Sequence, residues 1–339
     1  MRITRRSFLK YCTASAAALG LNPVMLQQLE AALASDGAPT VIWLHGSGCQ
    51  GDSVSFLNLF LDAPAVGHVD TKDVLLNNIN LAYHTVVMAS AGDTAVTMAL
   101  QGKRKGGYVL VCEGGVATAF GGKACRVMTI GGVEKTYQEM VLELGANALA
   151  VLSVGACASF GGIPRSIYPL PPLLPSEPSG PTGILSVEEA LAAGGVTGPV
   201  IINIPGCPAH PDWVAWVVVQ LILVLAGQAT LPELDAYKRP TALYGGNVHE
   251  NCPRNPNYHP TVKATTFGED GKCLEDLGCR GPGAYADCPF RGWNKGPIPQ
   301  LEDLSVDPAN YTRANWCVDS NGLCFGCVEH DFPGGDFYA

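Results

Sequence analysis

The residues best equipped for chemistry lie between His249 and Cys327: His249, Cys252, Cys273, Cys279, Cys288, Cys317, Cys324 and Cys327. Their spacings are short: His249-x-x-Cys252, Cys273 and Cys279 in KCLEDLGCRGP, Cys288 in ADCP, then Cys317, Cys324 and Cys327 in NWCVDSNGLCFGC. Gly, Pro and Asn crowd the stretches between them and no long apolar period runs through, so an ordinary hydrophobic core is not expected to hold this part of the chain. Thiolates with one imidazole suit three devices. Disulfides are open to an exported protein but leave His249 without a role. Zinc accepts His/Cys₃ and Cys₄ tetrahedra, and iron–sulfur clusters use the same donors. Spacing alone does not choose between zinc and iron–sulfur.

Three more cysteines each follow a β-branched run. Val41-Ile42-Trp43-Leu44 leads to Cys49, Leu149-Ala150-Val151-Leu152 to Gly155-Ala156-Cys157, and Val200-Ile201-Ile202-Asn203 to Pro205-Gly206-Cys207. With Tyr108-Val109-Leu110-Val111 and a further strand near residues 74–79, these read as strands buried on both faces. Helical stretches at 93–101, 134–144, 187–193 and 211–225 alternate with them, Asp93 serving as an N-cap and Gly145 as a stop. The pattern predicts an α/β fold, a doubly wound parallel sheet. In such a sheet the loops at the carboxyl ends of the strands meet in one crevice, so Cys49, Cys157 and Cys207 are expected to converge. The glycine-rich turn 46–51 lacks the Lys-Ser/Thr ending of a phosphate loop.

The 339 residues are 47% hydrophobic and 15% charged, enough for two domains, and the net charge of −9 argues against a nucleic-acid partner. Lys103-Arg104-Lys105 reads as a solvated loop. Near the N-terminus Thr4-Arg5-Arg6-Ser7-Phe8-Leu9-Lys10, an Ala-rich apolar stretch and Ala32-Leu33-Ala34 form the pattern of a twin-arginine export signal over residues 1–34, which would take Cys12 with it. The expected location is the periplasm or the outer face of the cytoplasmic membrane. The longest apolar run, 214–226, is interrupted by Gln220 and falls short of the roughly 20 residues of a span. It reads as a buried helix, and the ending FPGGDFYA, with no hydrophobic tail, is expected to leave the chain without a membrane anchor of its own.

WLHGSGC, GACASFGG, NIPGCP, VHENCPR, CLEDLGCRGP, DCP and NWCVDSNGLCFGC, in this order, resemble the small subunit of nickel–iron hydrogenases over nearly the whole mature chain. The resemblance implies a flavodoxin-like domain (38–230) carrying a proximal cluster, and an irregular, cluster-stabilised C-terminal domain (231–339) carrying medial and distal ones. It implies three iron–sulfur clusters that conduct electrons from H₂ oxidation at a nickel–iron site in a separate large subunit to an outside acceptor such as a cytochrome. The large subunit would be an obligate heterodimer partner. Carried over, the proximal ligands are Cys49, Cys157, Cys207 and the residue at position 52. The distal cluster, of four irons, takes His249, Cys252, Cys273 and Cys279, and the medial takes Cys288, Cys324 and Cys327.

Two departures refine this. Asp52 stands where the family has a second proximal cysteine, as in a subgroup associated with oxygen tolerance. A three-cysteine, one-aspartate four-iron cluster is expected, the alternative being a three-iron cluster beside an Asp52 that caps the following helix. Cys317 replaces a common proline and is expected to complete a four-iron medial cluster, against the three-iron form of the common pattern. Cys112 and Cys125 match no ligand position. Glu113, in Glu113-Gly114-Gly115, is either near the proximal cluster or subunit interface or a structural carboxylate. The rivals are the cluster-bearing component of quinone-reducing complexes, which has adjacent cysteines at the first motif, and an exported zinc- or disulfide-stabilised binding protein.

Overall fold

The computed structural model describes residues 39–57, 80–166, 183–255, 263–269, 271–291, 316–318 and 320–334. Five strands form its main sheet: β1 (Thr40–His45), β2 (Asn80–His84), β3 (Tyr108–Glu113), β4 (Ala150–Val154) and β5 (Val200–Ile204). All pairings are parallel and the order is β2-β1-β3-β4-β5, the flavodoxin-like order. The apolar runs follow from this, since β3 and β4 are buried along their whole length with covering structure on both faces. The strand expected near 74–79 lies outside the described residues. The twin-arginine segment does too.

Helices cover the sheet: α1 (Gly51–Leu57), α2 (Gly92–Lys105), α3 (Tyr137–Gly145), α4 (Gly155–Phe160), α5 (Val187–Ala193) and α6 (Pro211–Leu225). Three boundaries differ from expectation. Ala91 holds the N-cap position of α2, and Asp93 lies inside the first turn, where its charge still suits the helix dipole. Lys103-Arg104-Lys105 is the last turn of α2 rather than a loop, with Lys103 paired to Glu143 at 2.6 Å. Residues 133–136 form a strand instead of helix, in a hairpin with Arg126–Ile130 where Arg126 pairs with Glu134. α3 then starts behind Thr136, which makes a reciprocal capping box with Glu139.

One apolar cluster runs from a sheet face (Val41, Trp43, Val111, Leu152, Ile202) over α6 (Trp213, Val217, Leu221) and into the C-terminal part (Tyr244, Val248, Ala284, Trp316, Val328). The C-terminal part is therefore held by an ordinary core after all, but one it shares. Its separate apolar cluster is small: Ala264, Leu274 and Leu323. Polar ties strengthen the seam. The Trp213 indole N–H donates to Asp287 at 2.7 Å, and buried Arg239 donates to Asp235, to Glu329 and to the Val328 carbonyl. As expected, α6 is a buried helix, and no described helix is long and apolar enough to cross a membrane.

Candidate metal centre

Cys49 follows β1 in the turn before α1, Asp52 lies in the first turn of α1, Cys157 sits in α4 directly after β4, and Cys207 follows β5. Parallel strands thus bring four donors from three segments far apart in sequence to one edge of the sheet. Asp52, Cys49 and Cys207 are close enough to Cys157 to raise its thiol, which burial first of all pushes up to about 12. Cys207 is raised to about 11 by burial, then by Asp52, Cys49 and Cys317. Burial and the neighbouring Glu113 push Asp52 up to about 7. Anionic donors crowded in this way repel one another unless a cation lies among them.

The Asp52 carboxylate is placed with care. Its Oδ1 accepts from the Ala209 N–H at 2.6 Å, tying α1 to the Cys207 loop. Its Oδ2 leans against Gly155, which has a φ of +85°; a Cβ there would stand 2.0 Å from Oδ2. Only glycine accommodates both the backbone conformation and the approach. Asp52 does not cap α1. That role falls to Glu113 at the end of β3, whose Oε1 accepts from the N–H groups of Asp52 (3.1 Å) and Ser53 (3.0 Å). Its Oε2 accepts from the Trp43 indole at 3.0 Å and from the Ser53 hydroxyl. The parallel register sets this up by pairing His45 with Glu113. Glu113 is 1% exposed.

The second group lies deeper in the C-terminal part. Cys288 and Cys327 are raised far above the usual thiol range by burial first; Cys327, Cys324 and Cys317 then raise Cys288, and Cys317 and Cys324 raise Cys327. Cys324 is pushed up to about 12 by burial, and Cys317 is raised by burial as well. Cys317 is near enough to raise the thiols of Cys288, Cys324 and Cys327, and it also lies near Cys279 and Cys207.

The third group lines one pocket. Its walls include His249, Cys252, Cys273 and Cys279, with Arg254, Trp316 and Cys324. Burial raises the Cys252 and Cys279 thiols, and nearby Cys273 adds to both. Glu275, which motif spacing did not single out, joins this group. Ligand atoms of His249, Cys273 and Glu275 all lie within 4.8 Å of one another.

The groups adjoin. Cys207 and Cys327 sense each other across the first two, and Cys317 and Cys324 both sense Cys279 across the second and third. Every cysteine among the described residues is a free thiol. Cys112 is buried in the core beside the Tyr137 hydroxyl and Cys125 is half-buried near Ser47, both apart from the three groups. Soft donors sized and grouped for metal fit iron–sulfur clusters.

A flavodoxin-like sheet whose thiol-bearing edge continues into a second, thiol-rich layer defines a class: metal-binding redox subunits built on an α/β domain. Residues 49–221 match the family described as NADH ubiquinone oxidoreductase, 20 Kd subunit, and residues 244–302 match the C-terminal family of the NiFe/NiFeSe hydrogenase small subunit. The periplasmic [NiFeSe] hydrogenase small subunit of Desulfomicrobium baculatum is 36% identical over 99% of this chain and 98% of its own length. Among solved structures, the recombinant [NiFeSe] hydrogenase from Desulfovibrio vulgaris Hildenborough superposes with a TM-score of 0.72 at 36% identity, covering 90% of this chain and 99% of that one. The actinobacterial-type NiFe-hydrogenase from Ralstonia eutropha H16 does so with 0.68 at 28% identity, covering 87% and 80%. The chain belongs to the nickel–iron hydrogenase small subunits, a family that carries iron–sulfur clusters, and as a small subunit it works with a large one.

Proposed function

We propose that this chain carries electrons from H₂ oxidation at the large subunit's nickel–iron site, through three iron–sulfur clusters, to an external acceptor such as a cytochrome. When bound, each cluster supplies a one-electron carrier. Cys49, Asp52, Cys157 and Cys207 hold the proximal one, Cys288, Cys317, Cys324 and Cys327 the medial, and His249, Cys252, Cys273 and Cys279 the distal. The observation that carries this reading is the contiguity of the three donor groups, Cys207 beside Cys327 and Cys324 beside Cys279. A zinc protein or a disulfide scaffold has no need for such a row. Exposed Cys49 and Cys207 mark the face that is covered by the large subunit, an extensive and obligate interface.

Asp52 supplies the fourth proximal donor. Support comes from its neighbours, because Glu113 already caps α1 and Gly155 leaves room for the carboxylate's second oxygen. At a pKa near 7 the free carboxyl is half protonated at neutral pH; a bound iron would hold it ionised. The relatives named periplasmic and the Arg5-Arg6 motif support export of the folded, cluster-loaded protein through the twin-arginine route.

The test is the anaerobically purified heterodimer. It should be brown, contain iron and labile sulfide for three clusters, and bleach under H₂. A complex devoid of iron and sulfide sinks the assignment. Asp52→Asn should alter the proximal EPR and Mössbauer spectra while leaving the other two unchanged; unaltered proximal spectra would remove Asp52 from the ligand set.

A further inference from the structure

The distal group has one donor too many. His249, Cys252, Cys273 and Cys279 already fill four positions, yet the Glu275 carboxylate lies within 4.8 Å of ligand atoms of both His249 and Cys273. Its place is built in. Glu275 opens a 3₁₀ turn, Glu275–Leu277, two residues after Cys273, and the turn is closed by the Leu277 N–H to the Leu274 carbonyl (3.1 Å), the Gly278 N–H to the Glu275 carbonyl (3.1 Å) and the Cys279 N–H to the Leu274 carbonyl (3.2 Å). The side chain is half-buried and reaches Lys263 at 3.2 Å. Lys263 is held more closely by Asp276, at 2.6 Å. Glu275 can therefore turn away from Lys263 without leaving that ammonium unpaired.

We propose that Glu275 is a reserve oxygen ligand of the distal cluster, able to take over the iron otherwise held by His249. The proposal rests on the distal cluster of the preceding reading. Two atoms bound to one metal ion stand about 3–4 Å apart, from bonds slightly over 2 Å, so a carboxylate within 4.8 Å of the His249 ligand atom stands close to the reach of the ion that the imidazole would serve. A carboxylate is a harder, weaker iron ligand than imidazole or thiolate, so it stays off the metal while His249 is in place. When the imidazole leaves, the exchange is one neutral nitrogen donor for one anionic oxygen donor. The iron keeps its oxidation state and its place in the cluster, and a four-iron cluster does not decay to a three-iron one.

The experiment uses the full heterodimer with His249→Ala, Glu275→Gln and the double variant, read by iron content and by EPR and Mössbauer spectroscopy of the distal cluster. His249→Ala should retain all its iron, with one distal iron acquiring the larger Mössbauer isomer shift of an oxygen ligand. The double variant should lose one iron per heterodimer and show a three-iron EPR signal. Equal iron loss in His249→Ala and the double variant, or full iron in both, overturns the proposal. If His249→Ala does not assemble, wild type and Glu275→Gln decide the matter under limited ferricyanide oxidation. The three-iron signal should grow several-fold faster in Glu275→Gln, and equal rates overturn the idea. A wild-type complex with no distal iron would bring down the cluster reading as well, whereas failure of these variants alone leaves it standing.

Discussion

Cys317→Ser should cost the heterodimer one iron and convert the medial cluster to the three-iron type, visible as the EPR signal of an oxidised three-iron centre in fresh protein. The substitution hardly changes volume, and flanking Trp316 and Val318 are 2% and 3% exposed in the shared core, so the backbone at 317 stays where it is. What changes is the donor. A serine hydroxyl gives up its proton far less readily than a thiol and is a poor partner for iron in a sulfur-bridged cage. Cluster type and net charge set the potential, so the medial potential should shift upward, and electron transfer past that point should slow. Cys125→Ser is the control, because Cys125 lies near Ser47 and Tyr137, away from the three donor groups. Its iron content should match wild type. A Cys317→Ser complex with an intact four-iron medial cluster would make Cys317 a buried spectator thiol.

How much of this could be read from residues alone follows from what each feature depends on. Convergence of Cys49, Cys157 and Cys207 was legible, since apolar runs buried on both faces imply a parallel sheet and a parallel sheet gathers its carboxyl-end loops. The start of α3 was not. Glu134 to Thr136 looks helical in sequence, but Arg126 across the hairpin claims Glu134, and the Thr136–Glu139 capping box marks the true start. The shared core was hidden for a different reason. Tyr244, Val248, Ala284, Trp316 and Val328 show no periodicity because they come from a one-turn helix and from separate loops, so only the fold brings them together. Glu275 carries no signal in cysteine and histidine spacing, because a carboxylate two residues from Cys273 looks like any surface acid until the fold turns it toward His249. For Glu113 the choice between structural and functional roles depends on register, which places it opposite His45 and beneath the N-terminus of α1.

That position makes Glu113→Gln the second large effect, on stability and on the proximal site together. The carboxylate accepts four hydrogen bonds, two on each oxygen, from the N–H groups of Asp52 and Ser53, the Trp43 indole and the Ser53 hydroxyl. Glutamine has one accepting oxygen and a donating amide nitrogen. Placed toward α1, that nitrogen meets two backbone N–H groups; turned the other way, it meets the Trp43 N–H, which can only donate. The Ser53 hydroxyl offers little relief. His84 Nδ1 accepts from the Val86 and Val87 N–H groups, so the ring proton sits on Nε2 and points to Ser53 Oγ at 3.5 Å. Either orientation leaves a buried donor facing a donor, and hydrogen bonds to a charged group are each worth about 1.5–3 kcal/mol, so a loss of about 3 kcal/mol or more is expected. In the anaerobic heterodimer the temperature at which the visible cluster absorbance bleaches should fall by several degrees. The proximal spectrum should broaden before the other two change, because α1 carries Asp52 and follows directly on Cys49. A bleaching midpoint and a proximal spectrum identical to wild type would show that Glu113 neither anchors α1 nor orders the cluster beside it.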